Sequence, residues 1–373
     1  MQPLDKRFRS AYGETGFIMK SVSQTSTIRD VARKAGVSAA TVSRVLNGNS
    51  GVREPARLAV ERAVKALNFE PNLNARRLSL GRTFTIAGIV PFFYRPSYVE
   101  RLRGLESVLS PSPFDLVVYN VESVASRDRF FDELVRPDRF DGVVVISLRP
   151  DDGHVRAFAR SGVPVVLVDA AHPRLPSIHE DSVLGGYIAT RHLIELGHRR
   201  IAIICDELNA PLSIIGSHAN QSRLEGYRKA LTEAGIPIDP NLFREGPHAK
   251  HLARSLARDL LLAPDPPTAI FAVSDTHAMG VLEAARDLGL SVPRDLSVIG
   301  YDDIEVAEYL NLTTINQSLF ESGKRGAEML LAMLEADKAG EAAAPPASSA
   351  ALTEEVEIRL VVRGTTGAPP HGR

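Results

Sequence analysis

From Phe84 onward, short apolar runs alternate with amphipathic stretches that have the period of a helix. The runs are TIAGIV, FDLVVYN, DGVVVIS, VPVVLVD, RIAIIC, TAIFAVS and LSVIGYDD. Continuous apolar strands separated by helices are typical of parallel sheets that helices cover on both faces. Because these strands are too many for one sheet of ordinary size, we expect an α/β body with two lobes.

The segment TIRDVARKAGVSAATVSRVLNG, residues 27–48, predicts two short helices around a tight turn. Thr27 and Asp30 have the spacing of a capping box at the start of the first helix. Gly36 suits its left-handed end, and Ser38 caps the second helix. Two helices joined in this way are a helix-turn-helix, whose second helix enters the major groove of DNA.

A third helix is expected over Glu54–Leu67, which completes a small all-α head. Charge separates this region from the rest of the chain, although the net charge of the whole chain is only −1. Residues 27–82 contain 11 basic and 4 acidic side chains, whereas the chain from residue 83 onward carries a net charge of −10. A basic head on an acidic body predicts that the head alone binds a polyanion.

The side chains of the second helix suggest how the head contacts DNA. Hydroxyl and amide groups suit phosphate contacts, an arginine can donate two hydrogen bonds to guanine, and alanine methyl groups can pack on thymine. We predict DNA contacts from Thr27, at the start of the first helix. The contacts predicted on or beside the second helix are Ser38, Ala39, Ala40, Thr41, Ser43, Arg44 and Asn47.

Residues 27–47 match the pattern T-x-x-D-V-A-x-x-A-G-V-S-x-x-T-V-S-R-V-L-N without a gap, and residues 67–78 match L-N-F-x-P-N-x-x-A-R-x-L. This stretch closely resembles the head of LacI/GalR-family bacterial transcription regulators. The resemblance implies that ARRL becomes a hinge helix on operator DNA. Leu78 would then wedge between base pairs, flanked by Arg76 and Arg77 on phosphates.

The resemblance continues through residues 84–365. It implies a periplasmic-binding-protein-like body with a ligand cleft between two lobes. The chain would cross between the lobes three times. The lobes expected are 84–182 with 318–337, and 183–317 with 352–365. The residues that match ligand-facing positions are Tyr98, Asp169, Arg223, Ser274, Asp275, Asp302 and Gln317.

Three departures from the family pattern leave the ligand open. FFYRPSY replaces the usual D-x-x-N-P-F-F, the loop before Arg223 is longer, and Ser318 replaces a frequent proline. A forked arginine with carboxylates suits the vicinal hydroxyl groups of a sugar. We therefore expect a sugar or sugar derivative, with a non-sugar metabolite or a protein coregulator as alternatives.

The expected organisation has five parts. Residues 1–26 lack periodicity and are predicted to be a disordered extension, in which Met19 is an alternative start. The others are the helix-turn-helix domain (27–71), the hinge and linker (72–83), the two-lobed effector-binding and dimerisation domain (84–365) and a tail (366–373).

These features predict a homodimeric, ligand-responsive transcription regulator that represses genes at an operator. A sugar-binding protein without a regulatory role is an alternative, but the basic head argues against it. No catalytic, metal-binding or cofactor motif stands out, and the acid–base cluster His179, Glu180 and Asp181 is placed at the start of a helix. A single buried cysteine, Cys205, and the absence of a signal-peptide or membrane-spanning pattern predict a cytoplasmic protein.

Overall fold

The computed structural model describes residues 26–46, 51–69, 82–134, 136, 138–208, 217–338 and 353–370. The chain divides into two compact units, Met1–Gly81 and Arg82–Arg373, which we call the head and the body.

The described part of the head consists of three helices. They are α1 (Ile28–Ala35), α2 (Ala39–Leu46) and α3 (Glu54–Ala66). Gly36 has φ of +69° and ends α1, while the Ser38 hydroxyl accepts the N–H of Thr41 at the start of α2. Val31, Val42 and Val60 are fully buried where the helices meet. The predicted helices and the turn between the first two are confirmed.

The first lobe of the body is a parallel sheet with helices on both faces. Its described strands are β1 (Thr85–Pro91), β2 (Asp115–Val121), β3 (Gly142–Ile146), β4 (Val165–Val168), β5 (Ser177–His179) and β11 (Thr353–Glu355). They lie in the order β11-β5-β4-β3-β1-β2. The helices are α4 (Pro96–Leu109), α5 (Val124–Leu134), α6 (Asp152–Ser161) and α12 (Leu319–Lys338). Every residue of β3 and β4 is buried, as expected of strands covered on two sides.

The second lobe repeats this plan. Its described strands are β6 (Ile201–Asp206), β7 (Phe243–Gly246), β8 (Ala269–Ala272), β9 (Ser297–Asp302), β10 (Thr313–Asn316) and β12 (Arg359–Val361). They lie in the order β12-β10-β9-β8-β6-β7, and only β12 runs antiparallel to its neighbour in this sheet. The helices are α7 (Ser182–Glu195), α8 (Ser217–Glu233), α9 (Lys250–Leu261), α10 (Asp275–Asp287) and α11 (Glu305–Tyr309). Two buried apolar clusters pack on the two faces of this sheet.

Within the described residues the chain crosses between the lobes three times, as the resemblance implies. The crossings fall between β5 and α7, between β10 and α12, and between β11 and β12. One expectation was wrong in detail, because residues 352–365 do not all belong to the second lobe. Thr353–Glu355 pair with Ser177–His179 at the edge of the first sheet, and the chain crosses only after Glu355. Among the described helices, none is both long and apolar enough to cross a membrane.

Candidate functional site

Helix α2 presents one face to solvent and buries the other. Val42 is fully buried, whereas Ser38, Ala39, Ala40 and Arg44 are exposed. The other two predicted contacts on this helix, at positions 41 and 43, are half-buried. Ala39, Ala40 and Arg44 therefore lie on the accessible side of α2, where a duplex could reach them, and the DNA contacts stay a prediction.

Thr27 has a structural role at the start of α1. Its hydroxyl donates to the Asp30 carboxylate (2.7 Å) and accepts the N–H of Asp30 (3.4 Å). The same carboxylate accepts the backbone N–H of Thr27 (3.0 Å), which completes the capping box. The remaining DNA-contact predictions, Asn47, Arg76, Arg77 and Leu78, lie outside the described residues, as does the extension before Ser26.

In the body, backbone strain is concentrated where parallel strands end. Phe92, Ser147, Asp169, Asp302 and Ser318 all have positive φ, between 44° and 117°. Such conformations are unfavourable for residues other than glycine and are common at ligand-binding sites. In open α/β sheets, ligands bind beyond these carboxyl ends of the strands.

A buried polar network joins the two lobes at these strand ends. Arg101 of α4 lies 3.2 Å from the Asp169 carboxylate and donates to the side-chain carbonyl of Gln317 (3.0 Å). The Gln317 amide donates to the Asp302 carboxylate, and the Ser147 hydroxyl donates to Asp169. The network therefore links α4, β4 and the second crossing segment to the end of β9.

Arg223 of α8 completes the network from the second lobe. Its guanidinium donates to the Val273 carbonyl (2.7 Å), lies 3.7 Å above the Tyr301 ring and reaches the side-chain carbonyl of Gln317 (3.5 Å). Gln317 is thus an acceptor for arginines from both lobes. The Nε atoms of Arg101 and Arg223 are buried without a hydrogen-bond partner. Unpaired buried donors cost free energy, so both atoms could gain from a polar ligand.

Burial also perturbs two carboxyl groups of this region. It raises the pKa of Glu180 to about 7, helped by the charge of Asp169 and opposed by the nearby arginines. Burial raises the pKa of Asp302 to about 6, against the attraction of Arg223. The Ser182 hydroxyl donates to Glu180 (2.8 Å). The site therefore holds carboxyl groups that change charge near neutral pH.

A cavity of about 330 Å³ lies against this network and is bordered by both lobes. Asp169 and Glu180 form part of its wall, and Arg149 of the first lobe contacts His218 of the second (3.1 Å) beside it. Ser222, next to Arg223 in the chain, lines the opposite side. This volume is in the range of small-molecule sites.

The helices that carry Arg101 and Arg223 each pack closely against a glycine of a neighbouring helix. A methyl group at Gly323 of α12 would overlap the backbone carbonyl of Arg101, and one at Gly186 of α7 would overlap that of Arg223. Because these glycines have no side chain, α12 approaches α4 closely at Arg101, and α7 approaches α8 closely at Arg223. The backbone that carries each guanidinium is therefore fixed by close helix packing.

Not every residue predicted for the cleft joins the network. The Ser274 hydroxyl caps α10 by accepting the N–H of His277 (3.1 Å). The Asp275 carboxylate is buried beneath β9 and accepts from the Thr314 hydroxyl (2.6 Å) and the Ile304 N–H (3.0 Å). Protein donors thus reach both carboxylate oxygens of Asp275, and its role in ligand binding stays a prediction.

Tyr98 lies on α4, one turn before Arg101. It is buried, and burial raises its pKa to about 12. The charges of Asp169 and of Asp206 in the second lobe contribute to this rise, and those of Arg95 and Arg101 oppose it. The ligand-facing role of Tyr98 stays a prediction.

Arg101 and a ligand-facing role for Glu180 were not predicted from the sequence. Tyr98, Arg101 and Leu105 are spaced by three and four residues, so they lie on one face of α4, and all three are buried. The sequence did contain a signal, because Arg101 is a charged residue at a position that has the spacing of buried residues. The Asp181 carboxylate caps α7 by accepting the N–H of Leu184 (2.9 Å).

The raised pKa of Glu180 predicts how the stability of the body depends on pH. The ordinary pKa of a glutamate is 4.5, whereas Glu180 keeps its proton in the fold to about pH 7. Between these values the folded state binds more protons, so the free energy of unfolding falls as pH rises. We expect the E180Q variant to lack this contribution, which is on the order of 1–3 kcal/mol.

Urea unfolding at a series of pH values from about 5 to about 8 measures this contribution as the difference between wild type and variant. The exposed Glu225 of α8, replaced by glutamine, provides the control and should leave the pH dependence unchanged. Equal pH dependence in the wild type and E180Q would contradict the assignment.

Comparisons with known proteins agree with both units. A family model described as bacterial regulatory proteins, lacI family, matches residues 27–72, and a periplasmic binding protein-like domain model matches residues 190–366. Catabolite control protein A of Priestia megaterium is 33% identical over 301 residues, which cover 80% of this chain and 89% of that protein.

Two solved structures resemble this one over most of its length. The transcriptional regulator CelR in complex with cellobiose is 33% identical, with a TM-score of 0.63, covering 91% of this chain and 99% of that one. The lac repressor dimer bound to operator and the anti-inducer ONPF is 29% identical, with a TM-score of 0.77, covering 92% and 100%.

Proposed function

The chain belongs to the LacI family of bacterial regulatory proteins, and from that premise we propose that it is a transcriptional repressor controlled by a small effector. In this proposal residues 27–71 bind operator DNA and residues 72–83 form the hinge. Residues 84–365 bind the effector between the lobes and form a homodimer. A two-fold symmetric dimer would read two half-sites about one helical turn apart.

The observation that carries the proposal is the pair of buried arginines that meet at Gln317 from opposite lobes. An effector that offers acceptors to their unpartnered Nε atoms would draw both lobes onto itself. Its binding would change the angle between the lobes, which the hinge would pass to the head. The coupling of two such sites is commonly worth about 1–3 kcal/mol.

We propose a sugar or sugar derivative as the effector. Paired hydroxyl groups can accept from a guanidinium and donate to a carboxylate, and Arg101, Arg223, Asp169 and Asp302 supply both kinds of group. The similar regulator CelR was solved with cellobiose, which supports this class.

One experiment tests both parts of the proposal. Purified protein selects binding sites from a library of random duplexes, and the selected site is titrated at several salt concentrations with and without a panel of sugars. We expect a two-fold symmetric site, a steep salt dependence from phosphate contacts and a change of affinity with one sugar class. Selection of no duplex contradicts DNA recognition, whereas selection without any response to the panel contradicts only the sugar assignment.

Replacing Leu78 by alanine is expected to weaken operator binding by at least about tenfold, because the apolar wedge supports the bend that brings further contacts to the DNA. Fluorescence anisotropy measures the affinity, and energy transfer between dyes at the duplex ends measures the bend. Leu80→Ala is the matched control, and the body should unfold at the same temperature in all three proteins. Unchanged affinity and bending in L78A would refute the hinge assignment.

A further inference from the structure

A second cluster lies at the carboxyl edge of the second sheet and is not part of the network around Gln317. Asp206 ends β6, His248 follows β7, and His277 lies in the first turn of α10. Their exposed side-chain fractions are 23%, 14% and 1%. One ligand atom from each lies within 4.8 Å of the other two.

The separations suit coordination of one ion. Asp206 Oδ1 lies 3.0 Å from His248 Nδ1 and 3.2 Å from His277 Nε2. Two ligands that each lie ~2.1 Å from a tetrahedral ion are ~3.4 Å apart. The other oxygen, Oδ2, accepts from the buried Asn220 amide (3.0 Å), which holds the carboxylate with Oδ1 facing the imidazoles.

The orientation of His277 is the observation that separates a metal site from a simple ion pair. Its Nε2 is buried and has no hydrogen-bond partner, although it lies 3.2 Å from Asp206 Oδ1. The ring nitrogen and the carboxylate oxygen are therefore close without being aligned for a hydrogen bond. Of these two atoms only Nε2 lacks a partner, because Asp206 Oδ1 is within hydrogen-bond distance of His248 Nδ1 (3.0 Å). An ion bound among the three residues would supply the partner that Nε2 lacks.

The opposite side of the ring fits this interpretation. His277 Nδ1 lies 2.7 Å from the Ser274 hydroxyl oxygen, which can accept its proton. Imidazoles that bind a metal through one nitrogen characteristically donate the other N–H to an oxygen, which fixes the tautomer. A serine–histidine–aspartate hydrolase would instead need a well-formed hydrogen bond from Nε2 to the Asp206 carboxylate, which this geometry does not provide.

We propose that Asp206, His248 and His277 bind a divalent transition-metal ion. Two imidazoles with one carboxylate favour an ion such as Zn²⁺ or Co²⁺ over Mg²⁺ or Ca²⁺, which prefer oxygen ligands. Three protein ligands leave at least one coordination position for water or a ligand atom. Asp206 ends β6, so this position lies at the carboxyl edge of the second sheet, where open α/β sheets bind ligands.

Titration of the full-length, metal-free protein with Co²⁺, followed by visible absorption, tests the proposal without DNA or effector. We expect one Co²⁺ per chain and its displacement by Zn²⁺ but not by Mg²⁺. The H277Q and H248Q variants should each bind Co²⁺ at least ~100-fold more weakly. H251Q, which changes an exposed histidine of α9, should bind like the wild type.

Circular dichroism verifies that each variant is folded, and H248Q is the decisive variant because its side chain is less buried than that of His277. Absence of a one-to-one Co²⁺ complex in the wild type overturns the proposal. So does a folded H248Q variant that keeps wild-type affinity for Co²⁺.

Discussion

Replacing Gly186 by alanine is expected to destabilise the body by about 3 kcal/mol or more. The new methyl group would overlap the backbone carbonyl of Arg223. Relief requires the helices α7 and α8 to move apart, because the obstacle is backbone and no side-chain rotation removes it. Forcing extra volume into a well-packed structure typically costs about 1–3 kcal/mol. The overlap at Gly186 is severe, so we expect a cost at or above the upper value.

Urea unfolding of the full chain, followed by circular dichroism, measures this loss. Gly88→Ala is the matched control, since a methyl group at this buried glycine of β1 would meet side-chain atoms at ordinary contact distance, 3.4 Å or more. We expect the control to change the free energy of unfolding by less than about 1 kcal/mol. Equal stability of G186A and the control would show that the crossing is not as close as described.

Replacing Arg223 by alanine is expected to abolish the response to effector while operator binding persists. The guanidinium is buried, contacts Gln317 and Val273, and is one of the two side chains with an unpartnered Nε. Removing one partner of a buried charged hydrogen bond costs about 2–5 kcal/mol in binding, so effector affinity should fall on the order of 100-fold or more.

Isothermal titration with the effector found in the sugar panel measures this change. Operator affinity in the absence of effector shows that DNA binding persists, and circular dichroism shows that the body is folded. Arg228→Ala serves as the control, because Arg228 lies on the same helix and is exposed. If R223A kept its response to the effector, the buried network would not be the effector site.

Periodicity and caps made most of the fold predictable. Alternating apolar runs indicate two parallel sheets, and the positions of Thr27, Gly36 and Ser38 fix the helices of the head through local hydrogen bonds. The edge strand at Thr353–Glu355 was harder, because all three residues are exposed and carry no apolar signal. Its assignment depends on pairing with a strand that lies 176 residues earlier in the chain.

The candidate sites depend on contacts that no local pattern encodes. Arg101 and Gln317 are 216 residues apart and meet only because the chain crosses between the lobes. The residues of the proposed metal site lie at the ends of three different strands, so no short motif predicts them. Asp206 ends β6, His248 follows β7 and His277 follows β8. The Asp275 carboxylate accepts hydrogen bonds from Thr314 and Ile304, contacts that the family pattern did not predict.

Two of the three crossings in the described residues carry residues of the candidate site. Glu180, before α7, lines the cavity, and Gln317, before α12, belongs to the buried network. In the proposed function the lobes turn about these segments, which would then also contact the effector. Substitutions at these two positions should change ligand preference and the resting balance of open and closed forms together. A change of ligand preference alone requires substitutions elsewhere. They should be made at cavity-lining side chains of α8 that do not bridge the lobes, such as Ser222.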